Sequence, residues 1–361
     1  MTTRALLYRS GALGDTLLCL PTLDALRCAY PDAHITFAAH PAYAAPLMGD
    51  GRIEALLDAG APPFHLLHTA PAISLAGEDD ELTSLLKSFN PIILFTRDPD
   101  GAASKRLAAL EEAETFIAQP FPPEGSRQHV AEWALSAHVA HAGHGAPKAN
   151  ISISGTNESN QSIRIQTVRH THLKRPKDTR APLSGSQVTA PAPLKQSPKI
   201  QQDAANYLKR IGAPAAPLLA IHPGGGGRPK WPPTTTLLAL ALHYCEKLEA
   251  TPLLITGPAD EEPTRAFARA FEKAWGVEIL RLVSPPLDIL SAVLARAAAY
   301  IGGDSGIAHL AALSGAPSLA LFGPASDPAR WAPIGPRAAF IFWDNPDEGI
   351  KKLDELTDLN V

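Results

Sequence analysis

Cysteine is scarce in this chain of 361 residues: only Cys19, Cys28 and Cys245 occur. Three cannot all pair within one chain, and no Cys-x-x-Cys is present. A disulfide scaffold and a cysteine-built zinc site are therefore not expected, and a reducing compartment is the natural setting. Long apolar runs are missing too. The stretch 287–301 carries Asp288 and Arg296, charges that a membrane-spanning helix rarely holds. Residues 1–9 lead directly into a strand-like pattern, without the basic region, apolar core and small-residue cleavage site of a secretory leader. A cytoplasmic chain is expected, with at most peripheral contact on the cytoplasmic membrane face. Net charge is only −4, which gives no global pull towards nucleic acid, and no nucleic-acid partner is expected. Two nucleotide signatures are also lacking. There is no Gly-x-Gly-x-x-Gly fingerprint, and no Walker Gly-Lys-Ser/Thr.

What is present is a chain long enough for two domains and 45% hydrophobic, so sizeable cores can form. Short apolar runs alternate with longer helical patterns. In the first half, strands are expected over 5–8, 34–38 and 92–95, and helices over 16–30 and 127–142. The first of those helices rests on Leu17, Leu20, Leu23 and Leu26 at helical spacing. In the second half, strands are expected over 218–221, 252–255, 278–281, 300–301 and 318–322. Helices there are expected over 234–248, 260–275, 287–296 and 307–313. Such alternation implies an α/β protein of two doubly wound parallel sheets, with ligands at the carboxyl ends of strands.

The middle is different. Residues 150–199 are rich in Ser, Thr, Asn, Gln and Pro. Arg164, Arg169, Lys174, Arg175, Lys177, Arg180, Lys195 and Lys199 face only Glu158 and Asp178. Too little apolar surface is available to offset ordering entropy, so a disordered or extended insertion is expected. The sharper alternative is a basic segment that touches anionic lipid or nucleic acid.

Four glycine-containing turns carry candidate chemistry. Ser10-Gly11-Ala12-Leu13-Gly14-Asp15-Thr16 joins the first strand to the first helix. Asp15 is there either a carboxylate facing the crevice or a helix cap. His222-Pro223-Gly224-Gly225-Gly226-Gly227-Arg228-Pro229-Lys230-Trp231 offers consecutive amides and two cations, as a diphosphate requires, unless it is only a flexible loop. Gly302-Gly303-Asp304-Ser305-Gly306 opens a helix that also carries His309. Its amides and dipole favour a phosphate; Asp304 is alternatively a cap, and His309 alternatively structural. In Thr256-Gly257-Pro258-Ala259-Asp260-Glu261-Glu262, an acid could accept from ribose hydroxyls, by analogy with dinucleotide sites. The other reading is a helix start that simply favours acids. His138, His141 and His144 have metal-like spacing at a helix end but lack a carboxylate beside them other than Glu132, and no metal site is expected there.

In this order the motifs resemble glycosyltransferase family 9, whose best-known members are the ADP-heptose:lipopolysaccharide heptosyltransferases. Gly14-Asp15 with Leu17, Pro21 and Leu26 is similar to that family's opening. His222-Pro223-Gly224 and Lys230-Trp231-Pro232 are similar to the ends of its phosphate loop. Gly303-Asp304-Ser305-Gly306 with His309-Leu310-Ala311-Ala312 resembles its most specific signature. Leu321-Phe322-Gly323-Pro324, Asp327-Pro328 and Trp331 match the segment that follows. The resemblance spans about 4–48 and 217–336. It implies a GT-B fold, in which two Rossmann-like domains face each other across a cleft. An acceptor-binding domain over 1–149 would precede the insertion at 150–200. A nucleotide-sugar domain over 201–340 would follow, with a tail or helix over 341–361 free to pack back on the N-terminal domain. By the same resemblance the enzyme inverts the anomeric centre without a metal and needs no cofactor. Asp15 would be the general base. Gly14, Gly224, Gly225, Arg228, Lys230, Glu261, Asp304, Ser305, Gly306 and His309 would bind the donor, expected to be ADP-heptose. The acceptor would be a lipopolysaccharide-type or other envelope glycan, and the protein a monomer. The family usually places its lysine two residues before the Trp-Pro pair, where this chain has Pro229. Either Lys230 serves from the neighbouring position or Arg228 shares the role. A catalytically silent nucleotide-sugar-binding protein on the same fold is the alternative function.

Overall fold

The computed structural model of the chain describes residues 3–69, 79–110, 112–142 and 190–357. Most of the basic insertion, residues 150–189, lies outside them. So do His144 and the side chains of His138 and His141.

Two parallel sheets form. The N-terminal sheet contains β1 (Arg4–Arg9), β2 (His34–Ala39), β3 (Ala55–Asp58), β4 (Ile92–Phe95) and β5 (Thr115–Ala118), in the order β3-β2-β1-β4-β5. The C-terminal sheet contains β6 (Leu218–His222), β7 (Thr251–Thr256), β8 (Leu280–Val283), β9 (Ala299–Gly303), β10 (Ser318–Phe322) and β11 (Ala338–Phe342), in the order β11-β10-β9-β6-β7-β8. Strands β4, β6, β9 and β10 are buried along their whole length. That is why they read as unbroken apolar runs and not as alternating ones. Each sheet reverses its direction of growth once, between β1 and β4 and between β6 and β9. Those are the topological switch points, where a doubly wound sheet opens a crevice at its strand ends.

The helices in chain order are α1 (Leu13–Leu17), α2 (Leu20–Ala29), α3 (Pro41–Ala44), α4 (Glu81–Leu86), α5 (Ala102–Ala108), α6 (Val130–Ala142), α7 (Pro198–Arg210), α8 (Thr234–Lys247), α9 (Glu261–Trp275), α10 (Leu287–Leu294), α11 (Gly306–Leu313), α12 (Pro328–Trp331) and α13 (Pro346–Leu356). The single helix expected over 16–30 is in fact α1 and α2. Pro21 has no N–H to give to the Leu17 carbonyl, so the chain restarts with proline in the first turn of α2. The expected insertion ran to residue 200, but Ser197 caps α7 through its Oγ and the Ile200 N–H, so 198–200 are helical. Residues 341–361, expected as a tail or helix that could pack back on the N-terminal domain, hold the end of β11 and helix α13. Strand β11 reaches Phe342, and α13 then packs on α8 and β11 of the C-terminal domain, not on the N-terminal domain. Leu353 joins the core formed by Leu240, Tyr244 and Ile341, and the Tyr244 hydroxyl reaches Asp354, 3.0 Å away.

The domains touch closely. The start of α1 lies on the start of α11, and the 3-10 turn Ala45–Leu47 lies on α10. One apolar cluster therefore runs from Leu13, Leu17 and Leu47 into Leu290, Val293 and Ala308. Glycine makes the approach possible. A Cβ on Gly306 would stand 2.7 Å from Leu13 Cβ, and one on Gly14 would stand 3.2 Å from the His309 ring. Polar stitches flank this contact. Arg52 Nη2 donates to the Ala192 carbonyl (2.7 Å), and Leu194 N–H donates to the Leu313 carbonyl (2.8 Å). Arg330 Nη1 donates to the Ser126 carbonyl (2.8 Å), and His129 Nε2 to the Ala332 carbonyl (2.9 Å).

Gly306→Ala should force α1 and α11 apart. Overpacking of this kind costs roughly 1–3 kcal/mol, read as a lower urea midpoint. An unchanged midpoint would mean that the helix contact yields without cost.

Candidate functional site

The three best motifs meet where the switch points face each other. The turn after β1 closes one side. Asp15 folds back so that its Oδ2 accepts the Ala12 N–H at 3.0 Å. Ala12 has no acceptor of its own, so this is one half of a capping box. Gly11 is required here, because a Cβ would lie 2.7 Å from Asp15 Oδ2. Oδ1 is not bound by the cap and lies 3.8 Å from Arg9 Nη2. The carboxylate is 17% exposed.

The turn after β6 supplies the other side. Gly227 takes φ +130, a region that favours glycine, before the 3-10 turn Arg228–Lys230. That turn brings Lys230 Nζ to Asp304 Oδ2 at 2.7 Å and places it 5.9 Å from the Trp331 ring centre. Asp304 Oδ2 also accepts from Ser326 Oγ at 2.6 Å. Arg228 instead points outward, 78% exposed, beside Glu262. The structure thus brings Lys230 to the α11 start, and Arg228 away from it.

Under this loop lies a buried polar chain. His222 Nε2 donates to Asp260 Oδ2 (2.9 Å), and its Nδ1 meets the Ser305 hydroxyl (3.3 Å). Ser305 Oγ in turn accepts the Ala308 N–H at the start of α11 (3.3 Å). Burial works against the Asp260 carboxylate. The hydrogen bond and charge of His222, with the Gly225 and Gly257 amides, prevail and hold its pKa below the ordinary value. A Cβ on Gly224 would strike Asp260 at 2.1 Å, so glycine is obligatory there. Asp260, not the expected Glu261, is the acid that faces this loop. Glu261 faces solvent, 76% exposed, and pairs with Arg265 one turn on. Only the fold distinguishes these two adjacent acids. His309 is buried against α1, and burial pushes its pKa down to about 4. Its Nδ1 is buried without a partner.

The structure therefore brings together Gly14, Asp15, Gly224, Gly225, Lys230, Asp304, Ser305, Gly306 and His309, and leaves Arg228 and Glu261 at the rim. Amide donors and a cation face a strand-end crevice, as diphosphate binding needs. Beside them is a cavity of about 760 Å³ shared by both domains. Arg97, Gln119, Phe121 and Trp133 line it from one side, and Arg330 and Trp331 from the other. Trp331 is also the ring under Lys230. Among the described residues, no group of three or more His, Cys, Asp or Glu is placed to hold a metal ion, and no helix is long and apolar enough to cross a membrane.

Two parallel Rossmann-like sheets with opposed strand-end loops define the GT-B fold. The sequence model of glycosyltransferase family 9 (heptosyltransferase) matches residues 166–357, more than half of the chain, and the chain belongs to that family. No curated protein matches it by sequence. Among solved structures it is similar to ADP-heptose LPS heptosyltransferase II of E. coli, with TM-score 0.64, 16% identity and 99% of each chain covered. It is also similar to a family 9 glycosyl transferase from Veillonella parvula, with TM-score 0.63, 18% identity, and 97% of this chain and 88% of that one covered. E. coli heptosyltransferase WaaC, solved with ADP, gives TM-score 0.57 and 14% identity, with 97% of this chain and 100% of that one covered. At such identities the likeness speaks for the fold. The opening Gly14-Asp15 region lies outside the family match, and its place in the site rests on the geometry above.

Three buried groups near the domain contact titrate in one window. Burial lowers His309 and His129 to about 4 and raises Glu132 to about 7. Between about pH 4.5 and 6.5 the unfolded chain binds a proton at each histidine that the folded chain refuses. The folded chain keeps one at Glu132 that the unfolded chain releases. Acidification through this window should therefore cost a net one proton, ~1.4 kcal/mol per pH unit. Glu132→Gln should about double that slope in urea titrations. A flat profile for both proteins would contradict these assignments.

Proposed function

We propose that this glycosyltransferase is inverting and metal-independent, and that it moves a sugar, expected to be heptose from ADP-heptose, onto a lipopolysaccharide-type or other envelope glycan acceptor. The observation that supports this is the contact of the α1 start, which carries Gly14 and Asp15, with the α11 start, beside which Lys230 pairs with Asp304.

The donor diphosphate binds in the β6 and β9 turns. Asp15 takes the proton of the acceptor hydroxyl. The acceptor oxygen attacks the anomeric carbon from the face opposite the nucleotide and forms the new glycosidic bond. The bond from that carbon to the diphosphate oxygen breaks, and its electron pair leaves with the nucleoside diphosphate. Charge that grows on the departing phosphate is met by Lys230 Nζ and the first amides of α11. Asp304 and Ser326 hold the lysine and its carboxylate partner in place. Glu261, exposed on the first turn of α9, is available to the ribose hydroxyls. The acceptor sugar lies in the shared cavity, where Trp133, Trp331 and Phe121 offer ring faces.

Asp15→Ala should lower turnover roughly 10²–10⁴-fold with donor affinity nearly unchanged, as measured by transfer kinetics and calorimetric titration. Lys230→Ala should both weaken donor binding and slow transfer, and Arg228→Ala should do neither. Activity should survive exhaustive EDTA treatment. Turnover within a few-fold of wild type in Asp15→Ala reduces Asp15 to a cap, and activity lost to EDTA and restored by one divalent ion ends the metal-independent reading.

A further inference from the structure

Arg9 ends β1 and is 1% exposed, a costly place for a guanidinium. It is held from below and from the side. Its Nη1 donates to the Pro120 carbonyl, and its carbon lies 4.7 Å from the centre of the Phe121 ring. Nε and Nη2 are buried with no hydrogen-bond partner. The carboxylate that faces them is Asp15, with Oδ1 3.8 Å from Nη2, beyond hydrogen-bond length but within ion-pair reach. The other oxygen of Asp15 is occupied by the Ala12 amide. Oδ1 is therefore the oxygen free to receive a proton, and a pinned cation with unused donors stands beside it.

The remaining groups around Asp15 do not take this role. From α11, packed on α1, come His309, held neutral by burial, and Asp304, paired with Lys230. From α3, also packed on α1, come Tyr43 and, at its cap, the exposed His40 stacked on Tyr43. The Cys19 thiol donates to the main-chain carbonyl of Asp15 (3.6 Å), and burial pushes its pKa up to about 11, so it stays neutral.

We infer that Arg9 is the positioning residue of the base: its pinned guanidinium orients Oδ1 of Asp15 while the Ala12 amide holds Oδ2. This inference rests on the reading of Asp15 as the general base. Pinning by Pro120 and Phe121 also ties the base to the wall of the cavity proposed for the acceptor, since both residues line it.

The test is the pH dependence of kcat/KM for sugar transfer in wild type, Arg9→Gln, Arg9→Lys and Asp15→Asn, with donor KM recorded alongside. A cation beside a carboxylate lowers its pKa, so removing the cation must raise it. Arg9→Gln should move the acid limb up by about one pH unit and lower kcat about tenfold or more, with donor KM unchanged. Arg9→Lys, which keeps the charge and loses the fork, should hold the limb within a few tenths of a unit and lower kcat a few-fold. An acid limb unmoved in folded Arg9→Gln overturns the inference. If Arg9→Gln does not fold, Arg9→Lys decides: a held limb with reduced kcat supports it, and a displaced limb overturns it. Asp15→Asn separates the two claims. Wild-type turnover in that variant removes the base itself, whereas an inactive Asp15→Asn with an unmoved Arg9→Gln limb removes only the role of Arg9.

Discussion

The contact of α1 with α11 is the constraint on which the rest of the site depends. Two helix starts from two domains meet with Gly14 and Gly306 at the point of closest approach. Interiors are packed like crystals, so a methyl group at Gly306 would clash with Leu13 and one at Gly14 would press on the His309 ring. The closeness sets the distance between the turn after β1 and the turns after β6 and β9. Asp15, Lys230, Asp304 and the first amides of α11 sit on those three turns, and Glu261 alone among the proposed substrate-binding groups follows β7. The apolar cluster that crosses the boundary, from Leu17 to Leu290, holds the arrangement together.

Around that contact the charges are organised in two tiers. The deeper tier is the chain from Asp260 through His222 to Ser305, which links the α9 start, the end of β6 and the cap of α11. All of its members are satisfied, and a fully satisfied buried network specifies one geometry. The outer tier is the Lys230–Asp304 pair, with Ser326 and the Trp331 ring. It is half open to the crevice, where an anionic ligand can compete for the lysine. The deeper tier shapes the loop and the outer tier is available for binding.

The fold was largely legible in the sequence, because buried parallel strands leave compact apolar runs and their helices leave a 3.6-residue period. Strands β4 and β10 fall at the expected bounds. Strands β3, β5 and β11 were not foreseen. β3 and β5 are short and only half buried, and β11 alternates buried with less buried residues. Site residues that follow a strand within a glycine turn, such as Asp15, Lys230 and Asp304, could be picked out by position. Arg9, Asp260 and Trp331 act through partners 100 or more residues away, or through a choice between adjacent acids, and no local pattern carries that information.

The loops of the two domains form one site for donor and base, and a crystal structure of the chain with ADP-heptose tests this most directly. The expected complex has the diphosphate within hydrogen-bond distance of Lys230 Nζ and the Gly306 amide. Its anomeric carbon faces Asp15, and the acceptor cavity beside Trp331 stays open. A nucleotide bound elsewhere, or a diphosphate that leaves Lys230 paired with Asp304 and out of reach, would contradict it.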